Sequence, residues 1–87
     1  MQVDQRKIRE VEERSDMVID NPKPSQIKKH LAPADRISYI GTDGKYRSGG
    51  FVMKIGDDGQ SIGLSGGNLK WTLQTEKIQT IFIVKKV

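Results

Sequence analysis

A mainly β fold is what this chain predicts: five strands closed into a small barrel over residues 36–87, led by a partly helical N-terminal arm. Three observations carry it. Turn signals punctuate the C-terminal half at Asp43-Gly44, Asp57-Asp58-Gly59 and Ser65-Gly66-Gly67-Asn68. Such pairs supply the positive-φ residues that tight hairpins need. Short runs rich in β-branched and aromatic residues lie between the turns. All five aromatics (Tyr39, Tyr46, Phe51, Trp71 and Phe82) fall in this half, whereas residues 1–35 are strongly polar.

The 87 residues allow one domain with little core to spare. The hydrophobic share, 34%, is below the globular norm, and the deficit lies in the N-terminal part. The expected division is an arm over residues 1–24, helical or partly disordered, and a barrel domain over residues 25–87 with a short leading helical turn. With no cysteine there is no disulfide, thiolate nucleophile or thiolate metal site. No apolar run resembles a signal peptide or a membrane span, so the expectation is a soluble intracellular chain with no membrane partner.

The elements follow in order. Asp4 to Ile19 reads as helix, with Ile8, Val11 and Val18 near one face and Ser15 completing the series. Asp4 serves as cap, and Glu10 and Arg14 form a favourable pair four apart. Three aliphatics cannot hold such a helix alone, so the stripe either finds a partner surface or frays. Asn21-Pro22-Lys23-Pro24 forms a short stiff linker. Ser25 caps a turn or two from Gln26 to Leu31, whose Ile27 and Leu31 plug one mouth of the barrel. Pro33 ends it.

The expected strands are Arg36–Ile40, Lys45–Ile55, Gln60–Leu64, Asn68–Gln74 and Thr80–Lys85. The second alternates Phe51, Met53 and Ile55 inward with Val52 and Lys54 outward. Gly49-Gly50 within it marks a bulge or sharp bend. In the fourth, Leu69, Trp71 and Leu73 share a face. Thr75 to Gln79 makes a 3₁₀-like turn with Ile78 tucked in, and the last strand is apolar on both faces. A long bent second strand and a 3₁₀ turn before the fifth indicate the Src-homology-3 type of barrel, an architecture that also covers Sm, Tudor and KOW modules. An OB-fold would place a helix between the third and fourth strands, where only Ser65-Gly66-Gly67 stands.

No catalytic constellation emerges, and the expectation is a non-enzyme with no cofactor, no metal and no small-molecule substrate. His30 is the single histidine and sits in the polar connector. A zinc site or a triad would need partners it lacks. Asp57 and Asp58 point apart as strand neighbours and read as turn formers. Gly63, Gly66 and Gly67 fit neither a dinucleotide fingerprint nor a P-loop, since no helix follows. Trp71 invites a stacking role, yet its alternation with Leu69 and Leu73 favours packing.

Charge is the remaining signal. Residues 1–35 balance seven cations against seven acids, while residues 36–87 carry eight against four, so the net +4 sits on the barrel. Lys45, Arg47, Lys54 and Lys70 offer a basic strand face, with Tyr39 and Tyr46 as an aromatic pair beside it. These six residues are the nucleic-acid contact set, set against a plain solvated face.

Arg36 to Ile40, the run from Asp43 to Val52, Trp71-Thr72-Leu73-Gln74 and Ile81-Phe82 together resemble a short β module found in small proteins of nucleocytoplasmic large DNA viruses. The aromatic-Arg-x-Gly-Gly-aromatic piece, Tyr46 to Phe51, is the most specific part. The resemblance covers residues 36–85. It implies a viral protein of the host cytoplasm or the virion and carries no catalytic residues.

Two functions compete. One is a structural or virion-associated interaction module, docking on a protein partner through the barrel and through Ile8, Val11 and Val18 of the arm. The other is a nucleic-acid-binding barrel using the basic face.

Overall fold

A computed structural model describes the backbone of residues 5–85 and the side chains of residues 9–85. In chain order the elements are α1 (Gln5–Arg14), β1 (Met17–Asp20), α2 (Pro24–His30), β2 (Arg36–Gly41), β3 (Tyr46–Ile55), β4 (Ser61–Gly66), β5 (Leu69–Gln74), a 3₁₀ turn (Thr75–Lys77) and β6 (Ile78–Val84). The strands form one antiparallel sheet in the order β1-β6-β2-β3-β4-β5.

The mainly β class holds, and the five expected strands appear close to their expected bounds. The closed five-stranded barrel does not. A sixth strand, β1, pairs with β6, and the sheet stays open with β1 and β5 as its edges. The helix expected to reach Ile19 ends at Arg14. Ser15, which fitted the helical spacing, turns its hydroxyl back to the Val11 carbonyl, and its N–H reaches the Glu12 carbonyl. The Asp16 N–H then bonds the Ile83 carbonyl at 2.8 Å and delivers the chain to the sheet. Residues 17–20 of the expected arm are therefore part of the sheet, and Ile19 lies in the core.

β3 corrects a second expectation. Val52 is buried, while Phe51 and Met53 are 53% and 48% exposed, the reverse of the expected alternation. The cause is the expected glycine bulge. Ile37 faces Gly50 and Ser38 faces Ser48, so Gly49 is an extra residue that reverses the alternation of the residues after it as far as Met53. A second shift leaves Met53 unpaired between Val52 and Lys54. Gly50 has φ +85° and passes so close to β4 that a Cβ there would lie 2.6 Å from the Ser65 carbonyl oxygen.

One face of the sheet carries the core: Ile19, Ile37, Tyr39, Val52, Ile62, Leu64, Leu73, Ile78, Ile81 and Ile83. Ile27 and Leu31 of α2 fill it as expected, both buried. The helix starts two residues earlier than Ser25 suggested, with Pro24 in its first turn and the Gln26 side chain accepting the Lys23 N–H at 2.9 Å. Its start presses on the β3–β4 turn, where a side chain at Gly59 would run into the Pro24 carbonyl. Thr75 pins the same turn by bonds to Gly59 and Gln60. Phe82 lies on the opposite face, 1% exposed, with the Tyr46 ring 6.4 Å away.

A half-buried ion pair ties the ends of these elements together. Asp35 is 3% exposed and accepts the Ala32 N–H at 2.9 Å and the Lys85 ammonium at 2.8 Å. Lys85 also donates to the His30 carbonyl at the end of α2, where a cation complements the helix dipole.

Gly50→Val should destabilise the chain by at least about 1–3 kcal/mol in denaturant unfolding, from forbidden backbone geometry alone. A loss below about 0.5 kcal/mol, the surface value, would show an ordinary strand there. Ile19→Ala should cost roughly 2–5 kcal/mol, as for a core isoleucine; a cost near zero would show that β1 is a dispensable strand. Lys85→Met, which leaves the Asp35 carboxylate buried with one ligand fewer, should cost about 1–3 kcal/mol.

Candidate docking surface

The bulges decide what the solvent face of β3, β4 and β5 displays. Phe51 faces Ser65, and Ser65 faces Lys70. Lys54 faces Gly63, and Gly63 faces Thr72. β4 thus contributes only small residues between larger ones on its neighbours. The Lys54 stem runs across Gly63, where a Cβ would stand 3.0 Å from Lys54 Cγ. A shallow depression of about 330 Å³ results, lined by Met53, Lys54, Lys70, Trp71 and Thr72 along with Gly63 and Leu64.

Of the large exposed apolar side chains, Met53 lines it. Phe51 and Met53 stand out from β3, and Leu69 at the start of β5 is 71% exposed. Trp71 is half-buried, packed against the core and lying over Gly50 and Gly66. The Arg36 guanidinium sits 6.0 Å from the centre of the Phe51 ring, a cation–π contact at an exposed site. Among the described residues β5 pairs with β4 alone, so the surface ends in an open strand edge.

The residues expected to contact nucleic acid are not assembled into one stripe. Lys54 and Lys70 both line the depression. Lys45 and Arg47 lie at the β2–β3 hairpin, at the other end of β3. Arg47 is bound to Asp43 through two bonds, the shorter 2.7 Å. Tyr39 is in the core and Tyr46 packs on the opposite side of the sheet beside Phe82, so they form no exposed pair.

Of the arm's stripe, the Ile8 side chain lies outside the described residues. Val11 is half-buried on α1, facing a groove of about 410 Å³ between the helix and the sheet. Val18 is on β1, opposite Phe82 and 40% exposed. The two valines belong to different elements and share no helical face. Asp58 accepts the Gln60 N–H at 3.0 Å, the turn-forming role expected of it.

Phe51, Met53, Leu69 and Arg36 were not singled out from the sequence as surface contacts. The signal was present: a bulge at Gly49-Gly50 reverses the alternation that follows it. Comparison with protein-family models, with curated proteins and with solved structures found no match for this chain.

The hairpin ion pair has a measurable signature. The Arg47 guanidinium, helped by the Lys45 N–H, holds the Asp43 carboxyl well below the usual carboxylate range. A depressed folded value means that the pair's stabilisation is complete above about pH 3.9, the unperturbed value, and is lost as pH falls through the folded value. Both groups are exposed, so the stability effect is small. An NMR titration of Asp43 should show the depression, and Arg47→Ala should move its midpoint back towards about 3.9.

Proposed function

We propose that the chain is a non-enzymatic docking module that binds protein through the outer face and open edge of β5. The observation that carries this reading is the exposure of Phe51 and Met53 on β3 and of Leu69 on β5, the two strands flanking β4, beside a depression that Met53 lines and β4 floors with small residues. Single exposed apolar residues are ordinary, but a cluster bordering an open strand edge marks a contact surface. The resemblance of residues 36–85 to β modules of large DNA viruses supports a structural, virion-associated role. The exposed Val18 supports the arm as a secondary contact.

The second reading is nucleic-acid binding, favoured by Lys54, Lys70 and the partly exposed Trp71 around one depression. Its support is thinner, because Arg47 is engaged by Asp43 and Tyr39 is buried. Two grouped lysines form a small phosphate footprint.

Titration with single-stranded RNA and duplex DNA at low and at physiological salt separates the readings. The docking module should bind weakly, with little change in the Lys54→Ala/Lys70→Ala variant. The Phe51→Ser/Met53→Ser/Leu69→Ser variant should lose copurification with an assembly. Tight nucleic-acid binding whose salt slope drops by about two times 0.9 on losing both lysines would overturn the docking reading.

A further inference from the structure

The two open edges of the sheet differ in charge and match in chemistry. At one end β1 is bracketed by Asp16 and Asp20, both exposed, with Val18 between them; one carboxylate oxygen of each is engaged, by the Lys85 N–H at 2.7 Å and the Thr80 hydroxyl at 3.0 Å. At the other end β5 presents Leu69 and Lys70, with Lys54 nearby on the same depression. From this we infer that the occupant of the β5 edge is the β1 edge of a second copy of the same chain. The inference rests on the docking reading and names its partner.

Strand addition supplies main-chain hydrogen bonds that each free edge lacks. β1 has four residues and β5 has six, so the whole of β1 can be accommodated. Like-with-like pairing is disfavoured at both ends. Two β5 strands related by a two-fold axis would bring Lys70 towards Lys70, and two β1 strands would oppose their aspartates. Like charges across a strand pair destabilise it, whereas β1 against β5 sets carboxylates beside ammonium groups. The same charges that protect each edge from its own kind therefore permit the mixed pairing. Val18 lies on the same face of β1 as the two aspartates and would come beside Lys70 and Thr72 through its exposed methyls.

A β1-to-β5 contact is head-to-tail. The pair keeps one free β1 and one free β5 after the first contact, so association continues into a ring if the rotation closes and into a filament if it does not. Arg36 and Phe51 lie back from the β5 edge, on β2 and β3, and remain on the outer face of such an assembly.

The test uses two blocked variants of the full chain, each checked for an intact thermal transition. Val18→Lys cancels one of the two aspartate charges and sets an ammonium group towards Lys70. Leu69→Glu/Lys70→Glu makes the β5 edge repel Asp16 and Asp20. Sedimentation of the wild type should show growth beyond the monomer with concentration. Each variant alone should associate at least about tenfold more weakly, equivalent to about 1.4 kcal/mol. Their equimolar mixture should regain association, because each supplies the edge the other has lost.

Self-association that persists in Val18→Lys alone would show β5–β5 pairing, and persistence in the Leu69→Glu/Lys70→Glu variant would show β1–β1 pairing. Either overturns the inference, as does a wild type that stays monomeric. Should a variant fail to fold, hydrogen exchange of the wild type decides instead. Amides of both β1 and β5 should gain protection between dilute and concentrated samples, and protection at one edge or at neither sinks the proposal. A monomer that also ignores nucleic acid leaves the docking reading standing, while nucleic-acid binding through Lys54 and Lys70 removes both.

Discussion

Ile81 and Ile83 point into the core while Phe82, between them, is sealed on the opposite face, so the middle of β6 has no solvent side. A strand of this kind is a poor edge, because its apolar run would sit beside open main-chain donors and acceptors. It needs a neighbour on both sides. β2 supplies one, and β1 supplies the other. Once β1 occupies that flank of β6, β5 has nothing to close onto, and the sheet ends there. The open architecture thus follows from the burial of one strand. Its pairings are also distant in sequence, with Met17 beside Ile83 and Arg36 beside Val84. Such non-local pairing favours slow folding.

The glycine pair in β3 has the next largest consequence. Without the extra residue at Gly49, Phe51 would face inward and Val52 outward. The bulge instead gives Val52 to the core and places Phe51 on the surface beside Arg36. A local device of backbone geometry therefore creates the surface feature on which the proposed docking rests. Gly50 serves packing as well, since its bare backbone lets β4 and the Trp71 ring approach.

Much of the fold was legible in the sequence. Turn residues located the three hairpins, and β-branched runs located the five C-terminal strands. Ile27 and Leu31 were correctly assigned to the core. β1 was missed because Ile8, Val11, Ser15 and Val18 match a helical period, and four residues are too few to show a period of two. Strand closure was overread because a meander pattern is the same whether its ends meet or not. The site was less legible. Lys54 and Lys70 were named and are brought together, but the grouping with Lys45 and Arg47 assumed one unbroken alternation along β3. Tyr39 and Tyr46 flank one hairpin in sequence, yet the register sets Tyr39 beside Arg47 and Tyr46 beside Ile40. Neighbouring cross-strand pairs point to opposite faces, which separates the two rings.

Composition gives the surface its weight. The chain is only 34% hydrophobic, barely enough to build a core around six strands. In such a chain a large apolar residue is scarce, and a folding requirement alone would place it inside. Phe51, Met53 and Leu69 stand outside on the two strands that flank β4, which carries glycine and serine between them. The small residues keep the cluster from collapsing into a self-covered patch. Lysines rather than acids border it, which sets the sign of what fits there. The acidic bracket around β1 is the feature of this chain on which the proposed pairing with that edge rests.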